Sequence, residues 1–145
     1  MTIALSSPLL VGVYKDGLLI ESYERDGHTS DELPVVFADI LNKYDVKNLF
    51  YARGPGSFMA IKIAYIFLKT LSSTLEVGLF ACNGFSFNGN LPIRALKKVY
   101  FVEEDGKITT KIFNDEIEQK FKLPKILEKE IFSDSNEPLY VLPAV

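Results

Sequence analysis

Apolar positions along this chain change period several times, and each change marks a new element. Residues 1–5 and 9–14 are short apolar runs separated by Ser6-Ser7-Pro8, and they read as strands. Lys15-Asp16-Gly17-Leu18 follows, an Asp-Gly hairpin turn that returns the chain as a strand over 18–23. The spacing then lengthens. Leu33, Val36, Phe37, Ile40, Leu41 and Tyr44 recur at helical intervals and predict a helix over 31–44, with Thr29 or Ser30 as its N-cap. Residues 46–52 read as a strand, 57–75 as a long helix, and 76–81 as another strand. Strand, hairpin, strand, then helix–strand–helix–strand implies a mixed sheet, with three antiparallel strands first and parallel additions after.

Beyond residue 82 the pattern restarts in abbreviated form. Residues 84–92 are rich in Gly, Asn and Phe and suit a short helix and a linker. Residues 98–102 and 107–113 flank Glu103-Glu104-Asp105-Gly106, a second Asp-Gly hairpin. Residues 115–122 suit a short helix ended before Pro124, with a further turn or two through Glu130, and 139–142 a last strand. The division is a complete α/β unit over 1–90 and a shortened one over 91–145.

Composition narrows the classes. At 145 residues, 48% of them apolar, the chain is one domain, or one complete lobe with a reduced second. A formal charge of −3 argues against gripping nucleic acid by electrostatics alone. Cys82 and His28 are the only residues of their types, so no internal disulfide forms and no zinc site of the usual ligands can be built. A Ser-His-Asp arrangement would have to use His28, which lies in a polar loop. Cys82 ends an apolar run and reads as a small buried filler. With no basic leader and no uncharged stretch of about 18 residues, a cytoplasmic protein without a membrane segment is expected.

Arg53-Gly54-Pro55-Gly56-Ser57-Phe58 joins an apolar strand to the long helix. Gly54 and Gly56 permit a sharp bend, and Ser57 is placed to cap the helix. Together with the N–H groups that follow, these three residues form a candidate anion cradle, although no Lys-Ser/Thr pair makes the loop a Walker A. On the helix, Ala60, Ile61, Ala64, Phe67, Leu68 and Leu71 form one arc, suited to covering a sheet. A second stripe, Met59, Ile63, Ile66 and Thr70, is left over, bordered by Lys62 and Lys69. Either a partner completes that stripe or another part of this chain covers it. The first helix adds an outer face of Val35, Ala38 and Asn42, small enough for a helix to approach.

The run from Arg53 to Ile63 resembles the GRGPGSFTGxRIG signature of the bacterial TsaB (YeaZ) family. The likeness covers residues 1–113 and is densest over 28–82, taking in the Asp16-Gly17 hairpin, the His28-Thr29-Ser30 approach to the first helix and the second hairpin. The resemblance implies a ribonuclease-H-like fold of the actin and sugar-kinase kind, here with a reduced second lobe. It implies a non-catalytic scaffold that pairs through the two helices with a larger TsaD-type subunit, which holds the metal and transfers a threonylcarbamoyl group to tRNA. A small TsaE-type ATPase joins the cycle. No intrinsic cofactor is expected, since ATP and metal belong to those partners, and tRNA is met only through the complex. A homodimer in isolation is expected from the same helices.

Departures from the family pattern bear on chemistry. Leu5-Ser6-Ser7 stands where the family commonly has Ile-Asp-Thr, so the acid that helps nucleotide-handling relatives hold a phosphate-bound metal is missing. Met59, Ala60, Lys62 and Ala64 replace the signature's Thr, Gly, Arg and second Gly. The alternative readings are a nucleotide-binding phosphotransferase, for which the loop would hold phosphate, and a peptidase, for which no nucleophile has an evident base.

Overall fold

The computed structural model describes residues 1–140. Three strands open the chain: β1 (Thr2–Ile3), β2 (Leu9–Lys15) and β3 (Leu18–Arg25). They pair antiparallel, with Thr2 opposite Val11 and a bulge between Val13 and Tyr14. The β2–β3 turn places Asp16 at φ 52° and Gly17 at φ 80°, the positive values that the Asp-Gly pair supplies. Next come β4 (Asn48–Ala52), parallel to β1, and β5 (Gly78–Cys82), parallel to β4. The resulting five-stranded sheet has the order β3-β2-β1-β4-β5, with the expected antiparallel start and parallel additions.

Helices α1 (Thr29–Lys43) and α2 (Phe58–Leu75) cover one face of this sheet. Leu33, Val36, Phe37 and Ile40 of α1 are buried, as are Ile61, Ala64 and Leu68 of α2. Phe37 and Phe67 join the two helices, their ring centroids 5.5 Å apart. Asp31 and Glu32 in the first turn of α1, and Lys43 in its last, complement the helix dipole. The cap differs from expectation. His28 is the N-cap, ahead of Thr29 and Ser30, and its side chain makes no capping bond. The apolar arc of α1 is also narrower than its spacing predicts, because Leu41 is 36% exposed and Tyr44 only half-buried.

A second, three-stranded antiparallel sheet contains β6 (Ile93–Leu96), β7 (Val99–Glu104) and β8 (Lys107–Ile112). β7 and β8 are the predicted second hairpin. β6 lies just past the expected linker, in residues to which the sequence pattern assigned no element. The helix expected over 115–122 does not form. There the Ile117 N–H donates to the Tyr100 hydroxyl at 3.0 Å and the Lys122 N–H to the Phe87 carbonyl at 2.8 Å, so long-range partners take the place of helical ones. A 3₁₀ turn at Lys129–Ile131 supplies the later turn that was expected. Leu139 and Tyr140 are not in a strand, and the remainder of the strand expected over 139–142 lies outside the described residues.

Residues 113–140 form a belt instead. The Leu19 N–H donates to the Lys125 carbonyl, and the Leu127 N–H to that of Gly17, pinning the belt beside β3. It crosses the sheet face opposite the helices, where Phe121, Leu123, Leu127 and Phe132 pack with Leu5, Leu10 and Phe50. Ser133 and Ala81 then exchange backbone hydrogen bonds at the edge of β5, both at 2.8 Å. The belt ends beside the loop between β4 and α2.

Candidate functional site

Close packing of backbone on backbone builds the β4–α2 loop. Its carbonyl at Gly54 accepts from the Gly84 N–H at 2.9 Å, and the Arg53 N–H donates to the Cys82 carbonyl at 2.9 Å. A side chain at Gly54, whose φ is 123°, would place Cβ 2.8 Å from the Leu139 carbonyl oxygen, and one at Gly56 would place it 2.9 Å from that of Leu5. Both glycines are therefore required by what lies against them. Ser57 occupies the N-cap position of α2, but the expected side-chain cap bond is absent. Its N–H is engaged elsewhere, donating to the Leu5 carbonyl at 3.2 Å.

From the other side the belt reaches the same loop. The Leu139 N–H donates to the Arg53 carbonyl at 2.8 Å, and the Tyr140 ring lies against Phe58 with centroids 4.6 Å apart. The Arg53 guanidinium donates through Nη1 to the Ser135 carbonyl at 3.1 Å, while its Nε is buried without a partner. Gly54, Gly56 and Ser57 thus sit between residue 5 and the belt, with the start of α2 opening outward.

Potential reactive groups are dispersed. Cys82 is buried, its Sγ 3.4 Å from the Ser86 hydroxyl, and burial pushes its thiol above the ordinary range. That environment disfavours the thiolate a nucleophile needs. His28 is exposed at the start of α1. Among the described residues no three His, Cys, Asp or Glu side chains gather as a metal site.

The outward surface of the two helices is open and apolar. Met59 is 62% exposed, Ile66 54% and Val35 61%. Thr70, Ala38 and Asn42 are exposed with them, whereas Ile63 is half-buried and forms part of the floor. Ile63, Ile66 and Thr70 line a groove of about 430 Å³ shared with Ser30, Phe67 and Leu71. The Thr70 hydroxyl already donates to the Ile66 carbonyl at 2.8 Å, so the groove presents little unsatisfied polarity. Lys62 and Lys69 mark its polar border. Phe58, 50% exposed, extends apolar surface past that border at the helix start, a contribution the stripe pattern did not include.

By length and composition alone α2 would also suit a membrane span. In this fold its Ile61–Ala64–Leu68 side packs on the sheet.

No family model matches the chain, and no curated protein matches its sequence. Its fold does match solved structures. YeaZ from Pseudomonas aeruginosa superposes with a TM-score of 0.59 at 17% identity, over 76% of this chain and 61% of that one. A second structure, described as an uncharacterized protein with similarity to peptidase YEAZ from Pseudomonas aeruginosa, gives a TM-score of 0.55 at 18% identity over the same shares. The mixed sheet flanked by helices is thus a YeaZ-like fold with a reduced second lobe, and this chain spans 61% of the length of these neighbours.

Proposed function

We propose that this chain is a non-catalytic scaffold subunit that pairs, through the outer face of α1 and α2, with a larger TsaD-like metalloprotein in threonylcarbamoyladenosine modification of tRNA. The observation that carries this reading is the open stripe of Met59 and Ile66 on α2, with Val35 exposed on α1, in a YeaZ-like fold. Apolar anchors of this kind each contribute about 1–3 kcal/mol when a partner buries them. Ile63 shapes the groove floor, Thr70 continues the stripe, and Ala38 and Asn42 are small enough to admit a partner helix at about 8–10 Å. ATP and metal reside on the TsaD-like and TsaE-like partners, and tRNA is bound through the assembled complex in the cytoplasm. In the absence of the larger subunit the same face pairs with a second copy, since an apolar patch this open favours self-association.

The test uses Ile66→Arg, because Ile66 projects outward and its replacement leaves the core intact. The folded variant is expected to lose co-purification with the TsaD-like subunit of its own cell, with an unfolding midpoint close to that of the unmodified protein. Full retention of the complex by the folded variant overturns the assignment of this face.

A further inference from the structure

A second cavity lies at the opposite end of the fold and has a different chemistry. β1 is two residues long and pairs with Leu10 and Val11, so β2 runs on past it from Val13 to Lys15 without a strand on that side. The gap between this overhang and the start of β4 opens into a cavity of about 590 Å³. Such a volume lies within the range of small-molecule sites, roughly 300–1,000 Å³. Its walls come from three layers: Val13 and Leu49 from the sheet, Ile40 from α1, and Leu127 from the belt. Ile40, Leu49 and Leu127 are buried, which gives the cavity an apolar interior.

The rim is charged, and the asymmetry lies in which charges are already paired. Four lysines line the cavity, Lys15, Lys43, Lys47 and Lys129, against two aspartates, Asp16 and Asp45. Lys43 is occupied by Glu21 at 2.9 Å and Asp39 at 3.0 Å, and Lys47 by Asp45 at 2.7 Å. Lys15 and Lys129 have no ion-pair partner among the described residues. They come from the β2–β3 hairpin and from the belt, so two separate elements bring unpaired cations to one mouth, against a single unpaired carboxylate there, Asp16. An apolar interior below such a rim favours a ligand with an apolar body and one anionic head, because the head remains at the wet rim while the body is buried. The groove on the α1–α2 face differs: Ser30, Ile63, Ile66, Phe67, Thr70, Leu71 and Thr74 line it, with no charged residue among them.

We propose that this cavity is a binding site for small amphipathic monoanions, such as an aliphatic or aromatic carboxylate or sulfonate, independent of the α1–α2 face. Anilinonaphthalene sulfonate is the probe, with uncharged phenylnaphthylamine as its comparison, titrated by fluorescence into the full chain. One molecule of the sulfonate is expected to bind. The Lys15→Glu, Lys129→Glu double variant should weaken it by about tenfold or more while leaving phenylnaphthylamine binding unchanged. Ile66→Arg, on the other groove, should alter neither. Urea unfolding verifies that both variants are folded. Absence of stoichiometric binding overturns the proposal, as does equal affinity in the charge-reversed variant. Loss of the sulfonate in Ile66→Arg also overturns it, by assigning the probe to the helical groove.

Discussion

Gly54 shows how one residue type can be imposed from several directions. Its φ of 123° is costly for any residue with a side chain, and the space a Cβ would fill is taken by the Leu139 carbonyl at 2.8 Å and Ile61 Cδ1 at 3.1 Å. Gly54→Ala is therefore expected to destabilise the protein by about 2 kcal/mol or more, measured as a lowered urea midpoint at an unchanged slope. The need for glycine was legible, because Gly-Pro-Gly after an apolar strand signals a sharp bend. What the glycine packs against was not, since Leu139 is 85 positions away and no local pattern ties the two together. Ser57 teaches the complementary lesson. Its position as N-cap could be read from spacing, but its hydroxyl accepts no bond from the first turn, and the contact its backbone N–H makes to the Leu5 carbonyl is a long-range one that spacing does not reveal.

At the scale of elements, strongly periodic segments were readable and short or aperiodic ones were not. The β2–β3 hairpin and both helices follow from turn chemistry and spacing. β6 escaped notice because four residues, Ile93–Leu96, with burial alternating only partly, carry too little pattern. Residues 115–122 have helix-compatible composition, yet Phe121 and Leu123 face the core on strand-like alternation. Between β3 and α1, a polar cluster joins elements whose apolar faces were all the sequence revealed. The Glu21 carboxylate accepts from Lys43 at 2.9 Å and from the Tyr44 hydroxyl at 2.7 Å, and Asp39 accepts from the Tyr23 hydroxyl at 2.6 Å. The bonds from Lys43 and Tyr44 hold Glu21 below the usual carboxylate range, and those from Tyr23 and Lys43 do the same for Asp39. Burial, reinforced by Asp39, pushes Tyr23 up to about 12.

The sign of the pH effect follows from these directions. A carboxylate held lower in the folded state than in the unfolded one stabilises fully above its unfolded value, and that contribution falls away as pH drops through the folded one. Stability should thus hold from neutral pH down to about pH 5 and decline below that, as pH falls through the unfolded and then the folded values. Glu21→Gln should make that decline shallower, as followed by urea midpoints across the range. An equally steep acid limb in the variant would show that Glu21 does not contribute to it.

Viewed as a whole molecule, the chain has two faces closed by different means. Helices cover one side of the sheet by amphipathic pattern, which the sequence displays openly. On the other side a belt with little regular structure does the work of covering, holding Phe132 edge-on to Phe50 with centroids 5.0 Å apart; past the edge of β5 its Asn136 carbonyl accepts from the hydroxyl of Tyr51, whose ring lies on the helix side. Such a strap could not be anticipated from periodicity, because its apolar residues answer to the sheet and not to one another. Coverage stops at Tyr140 against Phe58, among the described residues, and leaves Met59 and Ile66 open. Single apolar side chains such as Leu96, Ile112 and Ile126 are exposed elsewhere, but Met59 and Ile66 share one helix face that borders a groove, and that grouping is the basis for the proposed docking role.

Met59 gives that role its most direct measurement. Its side chain is 62% exposed, whereas Met1, the other methionine, is 8% exposed and serves as an internal reference. Peroxide oxidation of each methionine is followed by mass spectrometry, for the free chain and for its complex with the TsaD-like subunit. The account predicts that Met59 oxidises readily in the free chain and about tenfold or more slowly in the complex. An isolated complex in which Met59 oxidises as fast as in the free chain would contradict it.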